Sequence, residues 1–250
     1  MGVDWDAATY DRVADPQEEW GRDVLARLEL RGDERVLDAG CGSGRVTRLL
    51  AERVPRGHVI GVDASPSMIE RAREVLGREA ELIVSDILDL ELSDPVDAIF
   101  SNATFHWILD HHRLFSRLHA LLRPGGVMEA QCGGEGNVAE WIRAIDAANG
   151  DERFAPYLRT MTPASNFASV ADTESRMRRA GFEPIRVWLE PKTVQPREPR
   201  AYVRSVGLSK QLDRMPAELH DEYVDAVLGS MPRPLILGYV RLNISARRPR

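Results

Sequence analysis

The sequence predicts one α/β domain built on a doubly wound, mostly parallel sheet. From residue 34 to residue 131, short apolar runs ending in an acid or amide alternate with amphipathic stretches, the mark of repeated strand–helix–strand units. The first run leads into a bend with glycine at every second position: Gly40, Gly42 and Gly44. The chain has 250 residues, enough for one such domain with a modest insertion.

Each element follows from local pattern. Residues 17–29 are expected to form an N-terminal helix with Val24, Leu25 and Leu28 facing inward. Val36 and Leu37 end a buried strand, Asp38 stands at its carboxyl end, and a helix begins near Arg45. HVIGVD, from His58 to Asp63, is the second strand. Ser65 as N-cap and Pro66 at the first helical position open the next helix, with Ile69, Ala72, Val75 and Leu76 as its apolar face. ELIVSD, ending at Asp86, is expected as the third strand and VDAIFSN, ending at Asn102, as the fourth. LLRPGGVMEAQ combines a helix end, a Pro-Gly-Gly turn and a fifth strand ending at Gln131. Residues 137–180 look mainly helical, with 153–168 irregular. PIRVWLEP (184–191) and LILGYVRLNISAR (235–247) are expected as two further strands bracketing a helical excursion from Pro199 to about Gly229.

The glycine bend marks a cofactor site. Glycine reaches backbone angles other residues avoid and lets a ligand lie against the main chain. Two cofactor types compete for such a loop. Dinucleotides use G-x-G-x-x-G with a pyrophosphate on the helix N-terminus. Here the spacing is G-x-G-x-G, with Asp38 two positions before the first glycine. That carboxylate would repel pyrophosphate but can hold an ammonium group. Asp63 lies about 20 residues past the loop, the distance at which a carboxylate chelates ribose hydroxyls. Asp86 is placed to accept from an exocyclic amine such as that of adenine.

Composition excludes several classes. Acidic residues number 39 against 33 basic ones, for a net charge of −6, so no general attraction to nucleic acid is expected. Arg247, Arg248 and Arg250 make a short basic tail, expected to be solvated. No apolar stretch approaches the roughly 20 residues of a membrane span. The start, MGVDWDAATY, has neither the basic region nor the apolar core of a signal peptide. The two cysteines, Cys41 and Cys132, are both expected near the crevice; they cannot make a disulfide framework and fit a reducing cytoplasm. No HExxH-type pair is present, and no metal is expected.

The segment VLDAGCGSGR (36–45) resembles motif I of the class I S-adenosylmethionine-dependent methyltransferases, and the strands ending at Asp63, Asp86 and Asn102 match that pattern in order and spacing. The resemblance implies a Rossmann-like, seven-stranded sheet with an antiparallel last strand and a helical cap. It implies S-adenosyl-L-methionine as cofactor and S-adenosyl-L-homocysteine as product. Cofactor contacts are then expected from Asp38, Ala39, Gly40, Gly42 and Gly44, from Asp63, Ala64 and Met68, from Ser85, Asp86 and Ile87, and from Asn102, Ala103 and Trp107. WDAATY, SNATFHWILDHHRLF, AYVRSVGL and RLNISARR together resemble the trans-aconitate methyltransferase group within that family. CGGEGN (132–137) and the region of about 150–170 depart from the group's pattern.

The whole chain, 1–250, is read as one domain: a leader and helix at 1–30, a cofactor-binding core at 31–131, a helical region at 132–182, and the last two strands at 183–250 with a cap inserted at 199–230. On the acceptor side, Tyr10, His106, Gln131 and Arg241 are the candidates for substrate binding. His106 is either a general base or a positioning residue. Trp107 is expected to wall the pocket, and His111-His112 to be solvated near a helix N-cap. Tyr10 either closes as a lid or packs structurally. Arg12, Arg143 and Arg204 are weaker candidates than Arg241 for gripping a carboxylate.

The expected function is methylation of a small-molecule acceptor, on the carboxylate of a trans-aconitate-like acid. The alternatives are methylation of a natural-product oxygen, carbon or nitrogen, or of a carboxylate carried on an acyl-carrier protein. Outside the class stand a nicotinamide-dependent oxidoreductase, disfavoured by Asp38, and a non-catalytic binding protein. No nucleic-acid or membrane partner is expected, and the chain is expected to be a monomer or homodimer.

Overall fold

The computed structural model describes residues 15–161 and 165–250. Its elements run α1 (Asp15–Arg27), β1 (Arg35–Ala39), α2 (Arg45–Arg53), β2 (His58–Asp63), α3 (Pro66–Leu76), β3 (Glu81–Val84) and β4 (Val96–Asn102). A 3-10 turn, Phe105–Trp107, precedes α4 (His111–Leu121), β5 (Leu122–Gly133), α5 (Ala139–Asn149), α6 (Ala155–Leu158) and α7 (Val170–Arg179). The chain closes with β6 (Glu183–Val194), α8 (Pro199–Gly207), α9 (Ser209–Leu212), α10 (His220–Gly229) and β7 (Leu237–Arg247).

The strands form one seven-stranded sheet in the order β3-β2-β1-β4-β5-β7-β6. Pairs from β3 to β5 are parallel, and β7 is antiparallel to both β5 and β6. Period-two alternation loads both faces. Val36 packs with Val24, Leu28 and Leu50 of α1 and its neighbours, while Leu37 packs on the other side with Leu114 and Leu118 of α4. Burial on both faces is why these strands read as continuous apolar runs. A third cluster, with Trp141, Tyr202, Tyr223, Val224 and Leu237, makes the core of the cap.

Several boundaries differ from expectation. The N-terminal helix spans 15–27, though Val24, Leu25 and Leu28 are buried as expected. β3 ends at Val84, and Asp86 instead caps a 3-10 turn by accepting from Leu88 N at 2.9 Å. Pro124, Gly125 and Gly126 do not separate a helix from a strand. They lie inside β5, and the register to β4 shifts between Val96 and Ala98 to accommodate them. β6 continues past Pro191 to Val194. It is an edge strand, where a proline without an N–H leaves no ladder bond unmade. Val75 is only half buried in α3, and Met68 takes a place in its inner face. Ser65 accepts from Met68 N at 3.3 Å, the N-cap its sequence predicts.

Candidate active site

The chain winds outward from β1 through β2 to β3, then returns to β4 on the other flank of β1. Such a divergence opens a crevice beyond the carboxyl ends of the strands. A cavity of about 920 Å³ lies there, lined by strand-tip residues and by the cap. The sheet order sets its two sides apart. The tips of β2 and β7 are four strand spacings distant, roughly 20 Å at about 4.8 Å per strand.

The three glycines of the bend have different reasons to be glycine. A Cβ on Gly40 would sit 2.1 Å from Thr104 Oγ1. One on Gly44 would meet Leu76 Cδ1 at 2.9 Å, where α2 packs on α3. One on Gly42 meets nothing within 4 Å, because Gly42 borders the open cavity. Gly44 and Ala39, both expected as cofactor contacts, are not among the lining residues. Gly44 serves helix packing, and the Ala39 carbonyl accepts from Ser101 Oγ at 2.6 Å beneath the floor.

This side of the cavity is rich in acceptors. Asp38 is 2% exposed, and its Oδ2 accepts from Thr47 Oγ1 at 2.7 Å. Burial pushes its carboxyl up to about 7, with the Asp63 charge adding to the rise and the Thr47 bond opposing it. Asp63 accepts from Gly42 N at 3.0 Å and Ser65 N at 2.9 Å, so it pins the bend as well as facing the cavity. Burial raises its pKa too. Gln17 Oε1 and Asn102 Oδ1 are buried acceptors with no hydrogen-bond partner among the described residues, and both side chains line the cavity. Three buried acceptors around one void call for a donor or cation. Ala64, Met68, Ser85, Asp86 and Ile87 continue the lining along the tips of β2 and β3.

Beyond β4 the backbone is strained. Ala103 (φ 59) and Val138 (φ 45) are the non-glycine residues with positive φ among the described residues, and both line the cavity. Ala103 N–H donates to Gln131 O at 2.7 Å and Val138 N–H to Gly238 O at 3.0 Å, which hold the strain in place.

His106 is 7% exposed and lies against Trp107 and Phe167. Gly133 N–H donates to its Nδ1 at 3.3 Å. A backbone N–H can only donate, so Nδ1 carries the lone pair and the neutral ring carries its proton on Nε2. Burial, with the charges of Arg241, His111 and Lys210, holds its pKa well below the usual histidine range. The ring is therefore a neutral N–H donor at neutral pH.

Arg241 is the buried cation of this side, 2% exposed and stacked 4.6 Å over Trp20. Its Nε donates to Gln131 Oε1 at 3.1 Å; Gln131 Nε2 donates to Asn243 Oδ1 at 3.0 Å; and Asn243 Nδ2 donates to Glu190 Oε2 at 3.3 Å. Gln131, expected to touch substrate, is thus not a lining residue. Both ends of its amide are used, one by Arg241 and the other by Asn243. The cap adds Lys210 of α9, whose ammonium lies 4.7 Å from the Trp107 ring centre. Lys210 has no local sequence signal. Its place depends on the cap docking through Gly207, where a Cβ would come within 1.9 Å of Trp141.

The other expected residues fall elsewhere. Tyr10 and Arg12 lie outside the described residues. Arg143 is exposed on α5 near Glu140, and Arg204 pairs with Asp221 away from the cavity. His112 is exposed, but His111 is 3% exposed and donates through Nε2 to Phe105 O at 3.0 Å, bracing the turn that carries His106. Cys41 lines the cavity, whereas Cys132 is buried in the core beneath it, with its thiol pushed up to about 12 by burial. Among the described residues no helix is long and apolar enough to cross a membrane.

The geometry can be set beside known proteins. A model described as a methyltransferase domain matches residues 36–126. Trans-aconitate 2-methyltransferase of Methylobacterium nodulans is 32% identical over 99% of this chain and 100% of its own length. That of Variovorax paradoxus is 33% identical over 89% of this chain and 86% of its own. Among solved structures, one from Bacillus halodurans described as a methyltransferase superposes with a TM-score of 0.65 at 16% identity, covering 92% of this chain and 99% of that one. A Haemonchus contortus phosphoethanolamine N-methyltransferase, solved with S-adenosylhomocysteine, gives 0.60 at 22% identity over 93% of this chain and 53% of that one.

Proposed function

Because this chain belongs to the trans-aconitate 2-methyltransferase family of class I enzymes, which methylate with S-adenosylmethionine, we propose that its acceptor is a carboxylate of a small organic acid. The dinucleotide alternative lapses with that membership. The observation that carries the carboxylate reading is the pairing of a neutral His106 donor with two cations, Arg241 and Lys210, on the side of the cavity away from Asp38.

The cofactor fits the residues present. Gln17, Asp38 and Asn102 offer acceptors to the ammonium of its amino-acid part; each oxygen of Asp63 accepts one backbone N–H and retains a lone pair for a ribose hydroxyl. Asp86 and Ile87 flank the place expected for the adenine. When bound, S-adenosylmethionine supplies an electron-poor methyl group on a sulfonium.

The chain's own groups do the rest. A carboxylate with pKa near 4 is already ionised at neutral pH and needs no base. His106 Nε2–H and the Arg241 guanidinium hold such an acceptor and leave one oxygen for in-line attack. Alignment of this kind accounts for roughly 7–11 kcal/mol of a barrier. The cap and Trp107 exclude water, which strengthens both charge contacts. We place the enzyme in the cytoplasm, where the free thiols of Cys41 and Cys132 stay reduced.

The test is a panel of organic acids, trans-aconitate first, incubated with methyl-labelled S-adenosylmethionine. The expected product is a methyl ester that releases labelled methanol in mild base. A base-stable label would instead assign the acceptor as an amine, a carbon or an ether-forming hydroxyl.

A further inference from the structure

Resting on the carboxylate reading, we infer that the acceptor acid carries an apolar tail, which lies along α5 beneath the cap. The cavity does not end at His106. Trp141, Ile142 and Ile145 line it from one face of α5, and Val138, the residue that caps the helix, continues their stripe at its start. Met161 and Val206 line the same space. Apart from Trp141, each of these side chains is only half buried. Val138, Ile145, Met161 and Val206 pack against the cap core on one side and border the void on the other, and an apolar guest is what such a surface favours.

The stripe has a direction. Val138 begins it, next to Asn137, whose Oδ1 accepts from Val240 N beside Arg241 on β7. Ile145 is seven residues further, about 10 Å along the helix axis. Asp146 and Asn149 then close the lining. Asp146 is exposed, and a carboxylate there opposes a second acid group on the acceptor. Cations at one end and an acid at the other, joined by an apolar stripe, suit one carboxylate head and one hydrocarbon tail. A compact polyacid would leave the stripe wet and aim a spare charge at Asp146.

The experiment measures kcat/KM for butanoate, hexanoate, octanoate and decanoate, with trans-aconitate alongside. The expected result is a rise of about fourfold per methylene, the factor to which about 0.8 kcal/mol per buried CH2 converts, followed by a plateau. Ile145→Trp fills the track and should move the plateau to shorter acids. S-adenosylhomocysteine titration of that variant checks its fold, and Val206→Phe replaces it if cofactor binding is lost. Methylation of these acids with no dependence on length, or an unmoved plateau in the filled variants, overturns the tail and leaves the carboxylate reading standing. No ester from any acid, in protein that binds S-adenosylhomocysteine, overturns that reading itself.

Discussion

The two sides of the cavity are built on opposite principles. At the tips of β1, β2 and β3 the groups are acidic or carbonyl acceptors, most of them set by strand ends and a bend that span fewer than fifty residues, Asp38 to Asp86, with Gln17 of α1 and Asn102 of β4 added to them. Beyond β4 the groups are donors and cations, drawn from the turn after β4, from β7 and from the cap: His106, Arg241 and Lys210. The first side is mostly local in sequence and offers acceptors; the second is assembled from distant segments and offers donors and positive charge. The difference teaches that, on the proposed reading, the side for the cofactor and the side for the acceptor answer to separate constraints within one void. Substitutions on one side should therefore leave the other side's ligand largely untouched.

The largest effect is expected at Arg241. Arg241→Leu removes a buried cation and strands Gln131; it should lower kcat/KM for the acid more than 100-fold, about 3 kcal/mol, with S-adenosylhomocysteine affinity within about threefold in calorimetry. Equal losses in both would break the division between the sides. Next comes Asp38→Asn, expected to weaken S-adenosylhomocysteine by roughly 10- to 100-fold, the worth of a hydrogen bond to a charged group at about 1.5–3 kcal/mol, while the KM for the acid stays put.

The glycine bend separates folding from binding. Gly40→Ala forces a Cβ into Thr104 and should lower the melting temperature by several degrees. Gly42→Ala meets only open cavity, so its melting temperature should fall less and its main loss should be cofactor affinity. The smallest catalytic effect is expected at His106. His106→Gln keeps a side-chain N–H donor and should cost less than about tenfold in kcat. A loss of 100-fold or more, with an acidic limb missing from the pH–rate profile, would restore the general-base role.

Asp38 also predicts a pH dependence. Its carboxyl titrates at about 7 in the folded chain, against an ordinary value of 3.8. Between those values the folded state holds a proton the unfolded state has released, so the cofactor-free protein should lose stability as pH rises from about 4 to about 7. An ammonium beside Asp38 favours the ionised form. Affinity for S-adenosylhomocysteine should accordingly tighten as pH rises toward 7 and then level off, and Asp38→Asn should flatten both trends.

Legibility in the sequence follows the same division. Asp38, Gly40, Gly42, Asp63 and Asn102 reach the cavity lining because a strand end plus a turn places each of them without help from remote residues. The proline pair of β6 misled, since prolines end strands in a sheet interior but not at an edge. Gln131 ends a strand, where a contact with substrate is expected, yet the antiparallel partner β7 supplies Arg241 and Asn243 to both ends of its amide. His111 looked solvated at a helix start and is buried, because the turn before it folds back over its ring. Lys210 sits in a cap whose docking no local pattern encodes. Long-range pairing, not propensity, decides that half.

The polarity of the void is tested most directly by a crystal structure of the complex with S-adenosylhomocysteine and a carboxylic acid. The amino-acid end of the cofactor is predicted beside Gln17, Asp38 and Asn102, with its sulfur turned toward the acid and the acid's oxygens on His106 Nε2 and Arg241. A cofactor seated the other way round, or an acid bound away from Arg241, would contradict it.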